Sequence, residues 1–385
     1  MSLQPLLSRL QPWARYSGFW LRLFLLLAVL YGLAPAPLQI ELGPRQTVES
    51  LHPKVCVHTR LDLEVEEWKI QRTLSLVREM GASTIVEFFP WAYVEHQPGQ
   101  YDWTNFDRTI RHVHNQGLSV IARMGLVPDW ARPPVYEKVT TLQYLTSDHF
   151  DEFAAFVGAF VARYRADVTA VIIWNEPNIN REWGDREVDP AAYTDLLRVS
   201  YQAAHAANPD IVVLGGALAP TLADDEASTS LNDLQYLELM YEAGAADYFD
   251  ALAVHTYGMT YPPNAEPQPD KVNFRRVELL RDIMIRYGDE DKPVYITESG
   301  WNDHPYWVNA VRPSQRLTYT LEAFEMVEQW PWVQELCLWI FRQPLDSHNP
   351  RDAYYALVSS DFYLKPIYEA LQAYARGWEN PYEMP

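Results

Sequence analysis

Short runs of apolar, mostly β-branched residues recur along this chain, each followed by a longer stretch whose apolar positions repeat every three to four residues. The runs fall at 54–58, 84–89, 118–123, 169–174, 211–216, 250–255, 293–297 and 335–340. Near-continuous apolar strands of this kind belong to a parallel sheet covered on both faces. The stretches between them predict amphipathic helices at 66–80, 106–116, 150–165, 191–208, 233–243, 273–287 and 312–329. Gly81, Gly117 and Asn208-Pro209 stand where three of these helices must stop before the next strand. Eight strand–helix units predict an α/β fold, a (β/α)8 TIM barrel forming one domain over about 50–378. A doubly wound open sheet is the rival, but its first strand ordinarily leads into a Gly-rich phosphate loop. His58-Thr-Arg60 is nothing of the kind.

Residues 1–40 follow a different pattern. Arg9, Arg15 and Arg22 precede an apolar run from Leu23 to Ala34, with no acid before it. A basic stretch before a short apolar run reads as an export signal. Ala34-Pro-Ala36 resembles a cleavage site, although Pro37 directly after it opposes cleavage. A segment kept in place would act as a membrane anchor, with Arg22 making it a marginal span. Under either reading the barrel lies outside the cytoplasmic membrane, because positive residues stay inside.

Composition narrows the function. A formal net charge of −20 argues against nucleic acid, whose phosphates need a surplus of Lys and Arg. Neutral substrates meet no such barrier. The 14 Trp and 24 Tyr suit the stacking of sugars, although a large core uses many such rings. Cys56 and Cys337 fall in the first and last strands, which are neighbours in a closed barrel. Two buried free thiols are expected, a bridge being the alternative if the side chains face each other.

The segments after the strands are longer than connection requires: 91–103, 126–147, 178–189, 219–232, 255–270, 299–311 and 342–362. In a barrel they crowd one rim, where active sites assemble. Two strands end there in an acid: Val171-Ile-Ile-Trp-Asn-Glu-Pro-Asn178 delivers Glu176, and Val294-Tyr-Ile-Thr-Glu-Ser-Gly-Trp301 delivers Glu298. A carboxylate at a strand tip is poorly placed for packing and well placed for chemistry. Two on separate strands are the minimum equipment for cleaving a glycosidic bond.

Trp174-Asn-Glu-Pro177, His255-x-Tyr257 and Thr297-Glu-Ser-Gly-Trp301 resemble the signature of clan A glycoside hydrolases. The cellulase-like family 5 and the xylosidase-like family 39 are the nearest in pattern, and Pro98-Gly-Gln-Tyr-Asp-Trp103 resembles their loop after strand two. The resemblance spans roughly 54–370 and implies Glu176 as general acid/base and Glu298 as nucleophile. It also implies Asn175 on the sugar 2-hydroxyl, His255 beside the cleaved bond and Trp339 as a stacking platform. Trp91, opening the loop after strand two, completes the expected sugar contacts.

Physical chemistry divides the two carboxyls the same way. A retaining mechanism needs them ~5 Å apart, one protonated and one ionised. Tyr257 is within reach to support a charged Glu298, whose charge should push the Glu176 pKa upward.

One departure stands out. Relatives carry an arginine near the end of strand two, where this chain has Val86 and Glu87. Arg60 or Arg123 is the candidate replacement, and Glu87 is expected to pair with Arg123. No metal or other cofactor is called for. His112 and His114 have no acid or Cys at ligand spacing and are expected to be solvated, and Asp224-Asp-Glu226 reads as a solvated turn before a Ca2+ site. The absence of a Gly-x-Ser-x-Gly elbow leaves a serine hydrolase without support.

The expectation is an exported or anchored retaining glycosidase acting on a β-linked oligo- or polysaccharide. The contrasting readings are a carbohydrate-binding barrel that has lost turnover, encouraged by the missing arginine, and an envelope transglycosylase using the same covalent intermediate.

Overall fold

The computed structural model describes residues 18–29, 40–133, 141–223, 229–344 and 351–382. It divides into a unit over 1–41 and a unit over 42–385. Apart from residues 40–41, the described part of the first is a helix over 18–29 whose apolar side chains, Phe19, Trp20 and Phe24 among them, are exposed. Among the described residues no helix is long and apolar enough to cross a membrane.

The second unit is a closed barrel of eight parallel strands, each hydrogen-bonded to the next and β8 to β1. They are β1 Val55–His58, β2 Thr84–Pro90, β3 Ser119–Gly125, β4 Val168–Ile173, β5 Val212–Leu218, β6 Ala251–Tyr257, β7 Val294–Gly300 and β8 Val333–Leu338. A helix follows each: α1 Glu67–Met80, α2 Thr104–Gln116, α3 Phe150–Tyr164, α4 Pro190–Ala207, α5 Asp233–Glu242, α6 Arg276–Arg286, α7 Pro313–Glu328 and α8 Pro366–Arg376. Seven coincide with the sequence expectation within a few residues, while α8 is an addition to it. The caps are the ones the sequence spells: Gly81 ends α1 in the left-handed region, Asp189 accepts from Ala192 at the start of α4, and Asn232 accepts from Gln235 at the start of α5.

Alternation along each strand sorts the side chains into two layers. Val57, Ile85, Val120, Val171 and Val213 face the helices in the larger core. Cys56, Val86, Ile121, Ala170, Leu214, Ala253 and Cys337 fill the barrel interior. The same period of two carries Arg123 of β3 and His255 and Tyr257 of β6 to the inner side of the barrel mouth.

The two cysteines form a disulfide, correcting the expectation of free thiols. Their strands pair with Cys56 opposite Cys337 in register, and both side chains point inward, so the Cα atoms stand 4.2 Å apart. The bridge spans 281 residues of sequence and closes the barrel covalently at its seam. Cys56→Ala/Cys337→Ala is expected to cost about 2–5 kcal/mol of stability, read as a lower denaturant midpoint that reductant lowers in the parent but not in the double variant.

His112 also departs from expectation. Its ring is fully buried between α1 and α2, with Nε2 2.8 Å from the Glu67 carboxylate. His114, by contrast, is half exposed and meets Asp167 at 2.7 Å. The acidic stretch 224–226 lies outside the described residues.

Candidate active site

Glu176 and Glu298 emerge together at the C-terminal mouth of the barrel, from β4 and β7. The backbone beyond β4 takes two left-handed turns at non-glycine residues, Trp174 (φ 69°) and Glu176 (φ 46°). Such conformations cost free energy and persist only where the surroundings dictate them. Here the Trp174 indole donates to the Glu182 carbonyl at 2.7 Å, and the Glu176 amide donates to Ala217 at 3.0 Å. Asn178 clamps the turn to the β5 loop by exchanging two bonds of 2.9 Å with Ala219. The last residue of the Asn-Glu-Pro-Asn motif therefore acts on the backbone. At β7, Trp301 packs against the bare Cα of Gly258, where any Cβ would overlap the indole. Its Nε1 donates to Tyr261 at 2.8 Å, tying the β7 tip to the loop that follows Tyr257.

One oxygen of Glu176, one of Glu298 and one nitrogen of His255 all lie within 4.8 Å of one another. His255 Nδ1 is 2.8 Å from Glu176 Oε1 and 3.6 Å from Glu298 Oε2, so its imidazole spans both carboxyls. The Tyr257 hydroxyl donates to Glu298 Oε2 at 2.8 Å. Arg123 Nη1 stands 3.5 Å from Glu298 Oε1 and donates to Asn175 Oδ1 at 2.9 Å. The guanidinium lies over the Phe88 ring, 4.4 Å from its centroid. Of the two arginines proposed from sequence, Arg123 takes the position beside the nucleophile candidate, while Arg60 is bound to Asp62 at 3.0 Å.

Glu87 does not pair with Arg123. Its carboxylate accepts from the Leu61 and Asp62 amides, both at 3.0 Å, and from the Thr59 hydroxyl, so it holds the loop after β1. Burial, reinforced by the charge of Asp62, pushes Glu87 up to about 7. Trp91 is the other displaced candidate. It is fully buried, packs against Trp130, Phe153 and Phe156, and does not reach the cleft. Its indole donates to Glu95 inside the core.

Burial raises the Glu298 carboxyl, and Glu176 adds to that; His255, Arg123 and the Tyr257 hydroxyl pull the other way without cancelling it. Desolvation works against a charged His255, but Glu298 and Glu176 outweigh it and its pKa rises. Tyr257 is held well above the phenol range by burial and by Glu298, so it remains a donor. His58, which sequence reasoning passed over, is fully buried at the tip of β1 and held neutral by desolvation and by Arg123. Its Nδ1 donates to the Thr59 carbonyl at 2.9 Å, an assignment from the bonding pattern that leaves Nε2 unprotonated 3.7 Å from Glu298. The signal for it was its place one residue pair beyond Cys56 on the same inward face.

Glu176, Glu298, Arg123 and Tyr257 line a cleft of about 650 Å3 with Asn175, Trp174, Trp339, Tyr355 and the Arg60–Asp62 pair, while His255 and His58 are buried and support it. Trp339 is half-buried and stands edge-on to His58 at 4.7 Å, and its peptide bond to Ile340 is cis. Five of the sequence candidates thus share one cleft wall or its immediate support with Glu176 and Glu298: Asn175, His255, Tyr257, Trp339 and Arg123.

Arg123→Gln tests the electrostatics. It removes the cation that opposes the raised pKa of Glu298. As a nucleophile Glu298 would be required in its ionised form and would limit activity from the acid side, so the acidic limb of kcat/KM should lie above the ordinary glutamate range and move further upward in this variant. We expect kcat/KM to fall by about 10²–10³-fold, in line with the loss of one preorganised charge contact.

The sequence profile of the beta-galactosidase family, glycoside hydrolase family 42, matches residues 63–134. No curated protein sequence matches the chain. Among solved structures, a family 39 glycoside hydrolase from Bacteroides cellulosilyticus WH2 is similar over 84% of this chain and 63% of its own, with 21% identity and a TM-score of 0.66. The chain thus spans less than two thirds of that relative. A family 5, subfamily 18 glycoside hydrolase from Streptomyces cattleya, solved with GlcNAc, is similar over 89% and 82%, with 16% identity and a TM-score of 0.65. A monomeric beta-xylosidase from Caulobacter crescentus CB15 is similar over 85% and 69%, with 19% identity and a TM-score of 0.59. At these identities the likeness is one of fold: the chain carries the (β/α)8 barrel found in these glycosidases.

Proposed function

We propose that this protein is a retaining glycoside hydrolase acting on β-linked sugars. The observation that carries the reading is the pair Glu176 and Glu298, on separate strands, with oxygens within 4.8 Å across an open cleft. That separation suits direct attack on an anomeric carbon and leaves no room for the intervening water of an inverting mechanism. Glu298, supported by Tyr257 and Arg123, attacks and forms the glycosyl ester. Glu176 gives its proton to the departing oxygen, then takes one from the water that cleaves the ester. When Glu298 is esterified its charge disappears, and Glu176 keeps its hydrogen bond with His255 while it takes the proton from water. Asn175, held by Arg123, faces the sugar 2-hydroxyl, and Trp339 offers a flat apolar wall.

Arg123 supplies a cation where the missing strand-two arginine had encouraged a binding-only barrel, so that alternative loses its particular support. Export remains part of the proposal: the basic-then-apolar N-terminus is joined by a buried disulfide, a bond favoured outside the reducing cytosol.

The test is a panel of aryl β-glycosides, including xylosides, galactosides, glucosides and mannosides, with the product anomer followed by NMR. Cleavage with initial release of the β-anomer is the expected result. Release of the α-anomer would contradict double displacement, and sugar binding without cleavage would favour the lectin-like reading.

A further inference from the structure

The cleft does not end at the loop after β1. A second cavity of about 270 Å3 adjoins it and shares Asp62, Leu63, Phe88 and Tyr93 with it. Its remaining walls come from the loops after β1 and β2 and from the first turns of α2, including Asn105 and Arg108. Tyr93, the last residue of the short helical turn Trp91–Tyr93, stands at the junction with 42% of its surface exposed. Asp62 is oriented by Arg60, which engages both its oxygens, and only an edge of its carboxylate meets the cavity. Arg108 spends its terminal nitrogens on the Glu64 and Val65 carbonyls, at 3.2 and 3.3 Å. Its Nε is buried as well, so Arg108 braces the cavity wall and offers no donor to it.

One exposed ring, the exposed Asn105 amide, the edge of a fixed carboxylate and an apolar wall are contacts a single pyranose uses. We propose that this second cavity is a distal subsite on the glycone side, which makes β-linked oligosaccharides better substrates than single-sugar glycosides. The side follows from topology: the leaving oxygen takes its proton from Glu176, just after β4, whereas the cavity is built by the loops after β1 and β2. Neutral sugars suit it, because Asp62 and the overall negative charge disfavour uronic acids. The inference rests on the hydrolase reading and adds the length of chain recognised. Binding energy from a remote sugar is useful when it appears in kcat/KM.

The experiment compares aryl β-glycosides carrying one, two and three sugars of whichever kind the panel shows to be cleaved. The second sugar is expected to raise kcat/KM at least about tenfold, the equivalent of one modest subsite. Asn105→Trp, placed on an exposed helical position so that folding is preserved, should fill the cavity and bring the two-sugar to one-sugar ratio close to unity. Tyr93→Ala should lower the same ratio. Cleavage of single-sugar glycosides with no gain from the second sugar overturns this inference alone. A gain that survives Asn105→Trp also overturns it, because the second sugar would then bind elsewhere. If no glycoside of any length is cleaved, the hydrolase reading falls and takes the subsite with it.

Discussion

Glu298→Gln is expected to lose at least about 10⁴-fold in kcat/KM on aryl β-glycosides, the scale seen when a covalent nucleophile is removed. The amide has the shape of the acid and can still accept from Tyr257, whose hydroxyl lies 2.8 Å from the carboxylate. What it lacks is a nucleophilic oxygen. No neighbour can take over: His255 is hydrogen-bonded to Glu176, and the His58 nitrogen nearest the site stands behind Glu298, 3.7 Å from its oxygen. The fold should not suffer. Burial raises the carboxyl, so replacing it by a neutral group removes a desolvated charge, and the melting temperature should hold or rise. Loss of activity accompanied by loss of structure would therefore not count as support. Glu298→Ala makes a sharper case, because the vacated space admits a small anion. Azide entering there would attack from the nucleophile's face and give a glycosyl azide of inverted, α configuration.

Glu176→Ala is expected to behave differently with different leaving groups. A general acid contributes about 10²–10⁴-fold when the departing oxygen needs its proton. On phenyl glycosides or disaccharides the full loss should appear. On 2,4-dinitrophenyl glycosides, which leave without help, the first step should be nearly preserved. The second step then becomes limiting, because no base activates water, and a burst of phenol should precede slow turnover. Azide needs no base, so it should restore the rate and give the β-azide, opposite to the product from Glu298→Ala. A uniform loss across leaving groups would remove Glu176 from the acid role.

The barrel was readable because its strands are apolar on both faces and its helices are not. The inward placement of Arg123, His255 and Tyr257 was readable in principle too, since each sits an even number of positions from a barrel-filling residue: Ile121 for the first, Ala253 for the other two. Contacts that depend on register were not. Cys56 meets Cys337 because β1 and β8 close in one register, and a shift of one residue would have turned the thiols to opposite faces. Glu87 has the same lesson. It lies one position from an inward-facing residue, so its carboxylate turns away from Arg123 and binds the amides of the β1 loop. Trp91 looked like a sugar contact from its place after β2, but a short helical turn over Trp91–Tyr93 directs it into the core and leaves Tyr93 exposed instead. Loop conformation decided that exchange, and loop conformation carries no periodic signal. His112 shows the opposite error: a polar residue on a helix reads as solvated until the partner helix is found to offer a carboxylate.

The most direct measurement is mass spectrometry of peptides after incubation with an activated 2-deoxy-2-fluoro-β-glycoside of a cleaved sugar. The fluorine slows both steps and the good leaving group rescues the first, so the ester accumulates. The predicted result is one glycosyl adduct on the peptide containing Thr297-Glu298-Ser299. An adduct on any other carboxylate, or steady turnover of the same compound with no adduct at all, would contradict the assignment of Glu298 as the nucleophile.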